Sequence, residues 1–428
     1  MIRTIFVNFS ARLAMQVMNF FTLLLTTNTL GSEIRGEISI IQLAINMIHL
    51  ISDVIGGPAL VYMVPRARLG ILLLTGWSWA IVSCSVVGFI LMQYELIPTT
   101  YNTEILIASF LLSLNSINLN ILLGQERMKA YNALLFLQGG LMLITMAASI
   151  FILNHDHSLP YLEACFGAYG GTFLLGLYFV LKEKHIPKLT NNRPILIVLF
   201  ANGFFTQIAT LTHQLSIRQN YYYLDNLIHD KKSSVGIYST AISLGEAILL
   251  FSASVAAVLM SRVSNEKLTE VSRKQTLRLA KLSLAVTIPG ILLFVILPPD
   301  FYTWLLGKDF SGVHRSFMTI APGIILVSFG TVFGHYFSGT GRHYMNFLSG
   351  IFGLCITLLT VQLLVTTYGV AGAGWSASIA YGGMSLFIFM IFMLVGRKHS
   401  GEWREILPTH EDVASLKRIF KSEAKNKQ

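Results

Sequence analysis

Runs of apolar residues follow one another along the whole chain, separated by short polar or basic connections. Each is near the roughly 20 residues that a helix needs to cross a bilayer, and an apolar stretch above about 18 reads as a membrane span. The pattern predicts about twelve spans. The first half gives Ile5–Asn28, Ile38–Val64, Leu69–Gln93, Glu104–Leu123, Tyr131–Leu153 and Tyr161–Leu181. The second gives Ile195–Ile217, Val235–Met260, Leu277–Leu297, Phe317–Tyr336, Met345–Thr367 and Ala371–Leu394. Between them Lys182–Arg193, KEKHIPKLTNNR, carries charges and a proline. The expected organisation is an amino-terminal six-helix bundle over residues 1–185, a cytoplasmic linker at 186–193, a second six-helix bundle over 194–397 and a basic tail at 398–428.

One stretch occurs twice. Gly36 to Arg68, GEISIIQLAINMIHLISDVIGGPALVYMVPRAR, lies over Gly236 to Lys267 after a shift of two hundred positions, with Gly36, Ser39 and Ser52 falling on Gly236, Ser239 and Ser252. Gly124 and Arg127 in LLGQER answer Gly339 and Arg342 in FSGTGR, and Ala168-Tyr169-Gly170-Gly171 recurs as Ala380-Tyr381-Gly382-Gly383. In the first span of each half, Phe6-x-Asn8 answers Phe200-x-Asn202. These matches keep one order and a consistent spacing, which points to an internal duplication. With an even number of spans per half the copies share one orientation, related by an axis along the membrane normal, and such folds place the transport path between the halves.

Composition sets the broad class. Hydrophobic residues make up 54% of the chain, charged residues 12%, and the mean hydropathy is +0.63. A water-facing surface of ordinary polarity cannot be covered, so the sequence reads as an integral membrane protein. The formal charge of +10 does not mark a nucleic-acid face, because most Lys and Arg sit between apolar runs and in the tail, the positive-inside pattern. With the amino terminus inside, even-numbered connections carry Arg66, Arg68, Arg127, Lys129, the basic residues of 182–193 and of 262–281, and Arg342. The opposite side keeps Arg35, Arg218, Lys231, Lys232, Lys308 and Arg315, so both termini are expected in the cytoplasm. Cys84, Cys165 and Cys355 fall inside apolar runs without motif spacing, and neither a disulfide framework nor a metal site is expected. Met1 to Leu30 begins like a signal peptide, but Arg12 interrupts its apolar region and no A-x-A site follows, so it is expected to stay as the first span.

Several short motifs resemble one family. Leu30-Gly31-Ser32-Glu33-Ile34-Arg35-Gly36-Glu37-Ile38-Ser39 precedes the second span, Asp53 and Gly56 lie within it, Val235-Gly236-Ile237-Tyr238-Ser239 opens the eighth, and Leu306-Gly307-Lys308-Asp309-Phe310 follows the ninth. Together they resemble the Wzx-type polysaccharide flippases of the multidrug/oligosaccharidyl-lipid/polysaccharide (MOP) exporter superfamily, over nearly the whole chain. The resemblance implies an all-α integral membrane fold of about twelve transmembrane helices in two six-helix bundles, the MATE-like or MOP fold, set as a V around a central cavity. It implies translocation of undecaprenyl-diphosphate-linked oligosaccharide, a polysaccharide repeat unit, from the inner to the outer leaflet of the bacterial cytoplasmic (inner) membrane by alternating access. The partners so implied are the bilayer, the lipid-linked glycan and other polysaccharide assembly proteins. No cofactor is expected; coupling to a Na+ or H+ gradient is.

An ionisable side chain within the hydrocarbon is costly and normally faces a partner or a wet cavity. Arg12 and Asp53 lie about equally far from the hairpin near Ser32 and Glu33, so antiparallel packing brings them to similar depth. Two readings stand: Arg12 attracts a substrate diphosphate through its guanidinium fork while Asp53 holds or exchanges with it, or the two form a static pair. Glu246, near the middle of the eighth span, is a candidate for a coupling ion or proton; the alternative is a carboxylate paired with a neighbour such as His213. Amides at Gln16, Asn46, Asn202, Gln207 and Gln214 offer the donors and acceptors that sugar hydroxyls need, though helix–helix contacts use the same groups. Gly56-Gly57-Pro58 weakens the second span and reads as a hinge or as an ordinary kink. His49, His213 and His335 lie in different spans without ligand spacing, as core or cavity-lining residues. Val413, Leu416, Ile419 and Phe420 with Lys417, Arg418 and Lys421 read as a basic amphipathic helix on the inner surface or a solvated tail.

No Gly-rich phosphate loop, H-E-x-x-H or nucleophile elbow appears. The longest connections, residues 218–233 and 298–313, are too short for a catalytic domain, so an enzyme is not expected. The nearest alternative is a MATE-type drug or cation antiporter of the same superfamily, which shares the two-bundle fold.

Overall fold

The computed structural model describes residues 2–94, 99–153, 157–182, 195–228, 231–265 and 269–395; the linker at 186–193 and the tail at 398–428 lie outside the described residues. Every regular element among the described residues is helical. Ten segments of these are long and apolar enough to cross a membrane, and the first of them, Leu13–Val61, holds two passes. Its helix α1 (Ile2–Gly56) is broken at Gly31, where φ is 78° and ψ 179°. A positive φ is strained for a residue with a Cβ and accessible to glycine. The chain reverses there, since Gln16 before the break and Gln42 after it line one cavity.

The second pass is interrupted again at Gly57, outside the helical region with φ −94° and ψ −141°. Pro58 then opens the short helix α2 (Pro58–Met63) at a position where its missing N–H leaves no bond unmade. Next come α3 (Leu69–Gln93), α4 (Asn102–Gly124) and α5 (Met128–Phe151). The sixth pass comprises α6 (Leu159–Cys165), a π-helical turn at Phe166–Gly170 and α7 (Gly171–Lys182). That turn falls on the first Ala-Tyr-Gly-Gly motif; the second lies in regular helix.

The second half contains α8 (Ile195–Leu227), α9 (Lys231–Asn265), α10 (Thr269–Ile296), α11 (Pro299–Leu306), α12 (Val313–Gly339), α13 (His343–Tyr368) and α14 (Val370–Val395). Helix α8 runs ten residues beyond the expected end at Ile217. Each half has its own core, around Leu60, Leu72, Ile117 and Ile121 in the first and Tyr238, Phe317, Ile320 and Ala377 in the second. Large apolar side chains such as Leu74, Val82, Phe89, Leu293 and Leu359 stay exposed, the surface that lipid covers.

The halves meet where the repeat meets itself. A Cβ on Gly36 would lie 1.7 Å from the Lys232 carbonyl oxygen, and one on Gly236 2.0 Å from that of Ser32, so only glycine permits the two helices to touch. Beside them Ser39 Oγ donates to Ser239 Oγ at 2.7 Å, and Ser32 Oγ lies 2.7 Å from Ser233 Oγ. Residues about two hundred positions apart in the sequence repeat therefore face each other. Lys232 Nζ, 3.0 Å from Glu37 Oε1, and Asn28 Nδ2, which donates to the Leu305 carbonyl at 2.9 Å, tie the same end. A second inter-half contact lies farther down the second pass, where Gly203 abuts the Val54 carbonyl.

Candidate functional site

Below the serine seam lies a cavity of about 340 Å³, bounded by α1, α5, α6, the π turn and α9. Gln16, Asn19, Gln42 and Gln138 give it an amide lining, Tyr161 and Tyr169 phenol groups, and Arg35 and Glu246 its charges. Gln138 accepts from Asn115 Nδ2 at 2.9 Å, which leaves its own amide hydrogens for the cavity. Arg35 is 8% exposed, and its Nε is enclosed without an acceptor. Tyr161, Tyr221 and Arg218 are its electrostatic neighbours; no carboxylate pairs with it among the described residues.

Arg218 reaches the wall of the same cleft from the other half. Its Nε donates to Gln214 Oε1 at 3.1 Å, Nη1 to the Tyr221 hydroxyl at 3.0 Å and Nη2 to Glu246 Oε1 at 3.0 Å. The pair is uneven, with Arg218 14% and Glu246 46% exposed. Glu246 is thus a carboxylate paired with a neighbour, and that neighbour is Arg218, not His213. Five residues along a helix turn a side chain by about 140°, so His213 and Arg218 look in different directions. Arg35 and Arg218, assigned from the sequence to outer connections, both stand within helices; Arg35 lines the cleft and Arg218 pairs with Glu246 on its wall. Sequence reading missed them because each lies at the end of an apolar run. The i, i+4 spacing of Gln214 and Arg218, and the i, i+3 spacing of Arg218 and Tyr221, were the available signals.

Asp53 belongs to a different cluster. Ser116 Oγ donates to its Oδ1 at 2.9 Å, His49 Nε2 lies 3.5 Å from its Oδ2, and Asn120 Nδ2 donates to the Gly56 carbonyl at 3.3 Å. His49 Nδ1 in turn lies 3.3 Å from Ser113 Oγ. A polar chain therefore links the second and fourth passes beside the break at Gly57, where Gln207 packs against the glycine. The side chains of Arg12, Asn202 and Pro58 lie outside the described residues. Asn46 is half-buried, one turn from both Gln42 and His49.

His213 lines a second cavity, of about 310 Å³, between α8, α12, α13 and α14, together with His335 and His343. Among the described residues no group of three or more His, Cys, Asp or Glu is arranged to hold a metal ion.

Comparison of the sequence with protein-family models and with curated proteins yields no match. The fold does match solved structures. An inward-facing multidrug resistance MATE family transporter of the MOP superfamily superposes with a TM-score of 0.73 at 14% identity, over 93% of this chain and 100% of that one. An outward-facing MATE family transporter gives 0.68 at 15% identity over 92% and 95%, and a mutant of a Vibrio cholerae MATE transporter 0.64 at 14% over 93% and 97%. The chain shares the all-α, twelve-helix fold of these MATE family transporters.

Proposed function

We propose that the chain is an alternating-access exporter of the MATE type, seated in a bacterial inner membrane with both termini cytoplasmic and driven by Na+ or H+ entry. The observation that carries this reading is the glycine and serine seam, which joins two related halves at one end of a polar cleft. Transport between two lobes requires such a seam to part and re-form. The solved structures of this fold include inward- and outward-facing multidrug transporters, which supports a drug or cation antiporter as the first reading of the cargo. Glu246 and the Asp53 cluster are then the carboxylates open to a cation or proton.

A second reading is supported by the charge of the cleft. Among the described residues Arg35 and Glu246 are its charged lining, and the charge of Glu246 is taken by Arg218 behind it, which leaves the Arg35 guanidinium unbalanced. A buried cation without a counter-ion favours an anionic ligand, and arginine matches phosphate oxygens in pairs. Amides and tyrosines line the space beside it. These features fit a flippase for undecaprenyl-diphosphate-linked glycan.

Proteoliposome transport of a fluorescent organic cation and of a lipid-linked glycan, measured for the wild type, Arg35→Gln and Glu246→Gln, separates the readings. Cation export that disappears in Glu246→Gln supports the antiporter. Glycan flipping that disappears in Arg35→Gln but survives in Glu246→Gln supports the flippase. A wild-type protein that moves neither cargo removes both.

A further inference from the structure

The cavity of the second half is used by neither cargo reading. Its polar lining among the described residues holds no Lys, Arg, Asp or Glu: Thr206, Thr210, His213, His335 and Asn346 present hydroxyl, imidazole and amide groups. Several of these groups lack partners on the cavity side. His335 Nδ1 is 2.9 Å from the Thr331 carbonyl, so that nitrogen carries the proton and Nε2 is left as an acceptor. Asn346 Nδ2 donates to the Gly334 carbonyl at 3.0 Å and to Ser338 Oγ at 2.9 Å, which leaves the amide oxygen to accept. Ser385 is 3% exposed, and its Oγ, which has no partner, is enclosed against Gly330 rather than open to the cavity. Buried polar groups left unpaired are unfavourable, and in a membrane protein water cannot reach them through lipid.

The donor and acceptor set selects the ligand. A cation would meet no carboxylate and an anion no fixed positive charge, while an apolar molecule would leave His335 and Asn346 unpaired. An uncharged polyhydroxylated group fits, because each of its hydroxyls both donates and accepts. We infer that this cavity, framed by His213, His335 and Asn346, is a binding site for the uncharged saccharide moiety of the cargo, separate from the arginine-bordered cleft. It lies beside the α12–α13 connection at residues 340–342, the cytoplasmic side in the proposed topology, where cargo is loaded. The inference rests on the glycan reading of the cargo and gives the sugar a place of its own.

The test uses the full chain in lipid nanodiscs free of glycoside detergent. Carbethoxylation of His213 and His335 by diethyl pyrocarbonate is followed by mass spectrometry in the presence of N-acetylglucosamine, galactose, inorganic phosphate or tetramethylammonium. At least one sugar is expected to slow modification of both histidines several-fold, and the two ions are not. Thr210→Val is expected to raise the protecting sugar concentration about five- to tenfold, as for one lost hydrogen bond; Lys308→Gln, outside the cavity lining, leaves it unchanged. Where Thr210→Val does not elute as a single species, Thr206→Val takes its place. The inference is overturned if neither sugar protects, if either ion protects as well as the sugars, or if the hydroxyl deletion has no effect. Because binding is read without transport, such a result removes this site and leaves the seam account standing. Loss of the seam account would instead appear as wild-type vesicles that move no cargo while sugar protection persists.

Discussion

Replacing Gly36 with alanine puts a methyl group where the eighth-pass backbone already lies. The new Cβ would sit 1.7 Å from the Lys232 carbonyl oxygen, and ordinary contact begins at 3.4 Å, so the helices must part by about as much again. That shift carries Ser39 and Ser239 from 2.7 Å to beyond hydrogen-bonding distance and strains the neighbouring Ser32–Ser233 contact. Overpacking of this kind costs about 1–3 kcal/mol and each lost hydrogen bond about 1 kcal/mol. A net loss of about 2–3 kcal/mol corresponds to a roughly 30- to 150-fold fall in the ratio of closed to open seam. Ser243, one turn below Ser239 and on the wall of the cleft, is a suitable reporter. With Ser243→Cys in a Cys355→Ser background, a membrane-impermeant maleimide added outside right-side-out vesicles should react faster by that factor once Gly36→Ala is introduced. An unchanged rate would refute the reasoning, because the close approach would then not hold the seam shut.

Two further outcomes follow from the same geometry. Arg218→Gln removes the partner of Glu246, and because Glu246 is 46% exposed the loss is limited to about 1–2 kcal/mol; a thermal melt should show a lower Tm, and the double variant with Glu246→Gln should be less than additive. Asp53→Asn keeps an acceptor for Ser116 but removes the negative charge beside His49. Gradient-driven transport should fall more than about tenfold while gradient-free exchange persists, and a variant that retains gradient drive would exclude Asp53 from coupling.

The passes were legible because the bilayer imposes a length on every apolar run, and Gly56-Gly57-Pro58 was legible as an interruption because its backbone chemistry is local, while the hairpin read near Ser32 and Glu33 turns at Gly31. The two-hundred-residue repeat was visible too, but sequence alone could not show that Gly36 and Ser39 touch their own counterparts. Arg35 and Arg218 escaped because hydropathy treats a charge at the end of a run as a loop residue, whereas α8 continues as helix through Arg218 and Tyr221. Asp53 stood out as a charge within an apolar run, yet its partner Ser116 comes from another helix, and only packing decides which one. His49, at i, i+4 from Asp53, was within reach of the sequence. That Glu246 would have a partner was within reach of the sequence, but which residue it is depends on the direction in which each side chain leaves its helix.

The claim that transport requires the serine seam to open is tested most directly by fastening it. Ser39 and Ser239, whose Oγ atoms are 2.7 Å apart, become Ser39→Cys and Ser239→Cys in a Cys355→Ser background. Oxidation to the disulfide should stop transport in proteoliposomes and a reductant should restore it, with neither single variant responding. Full transport by protein that mass spectrometry shows to be completely cross-linked would contradict the account.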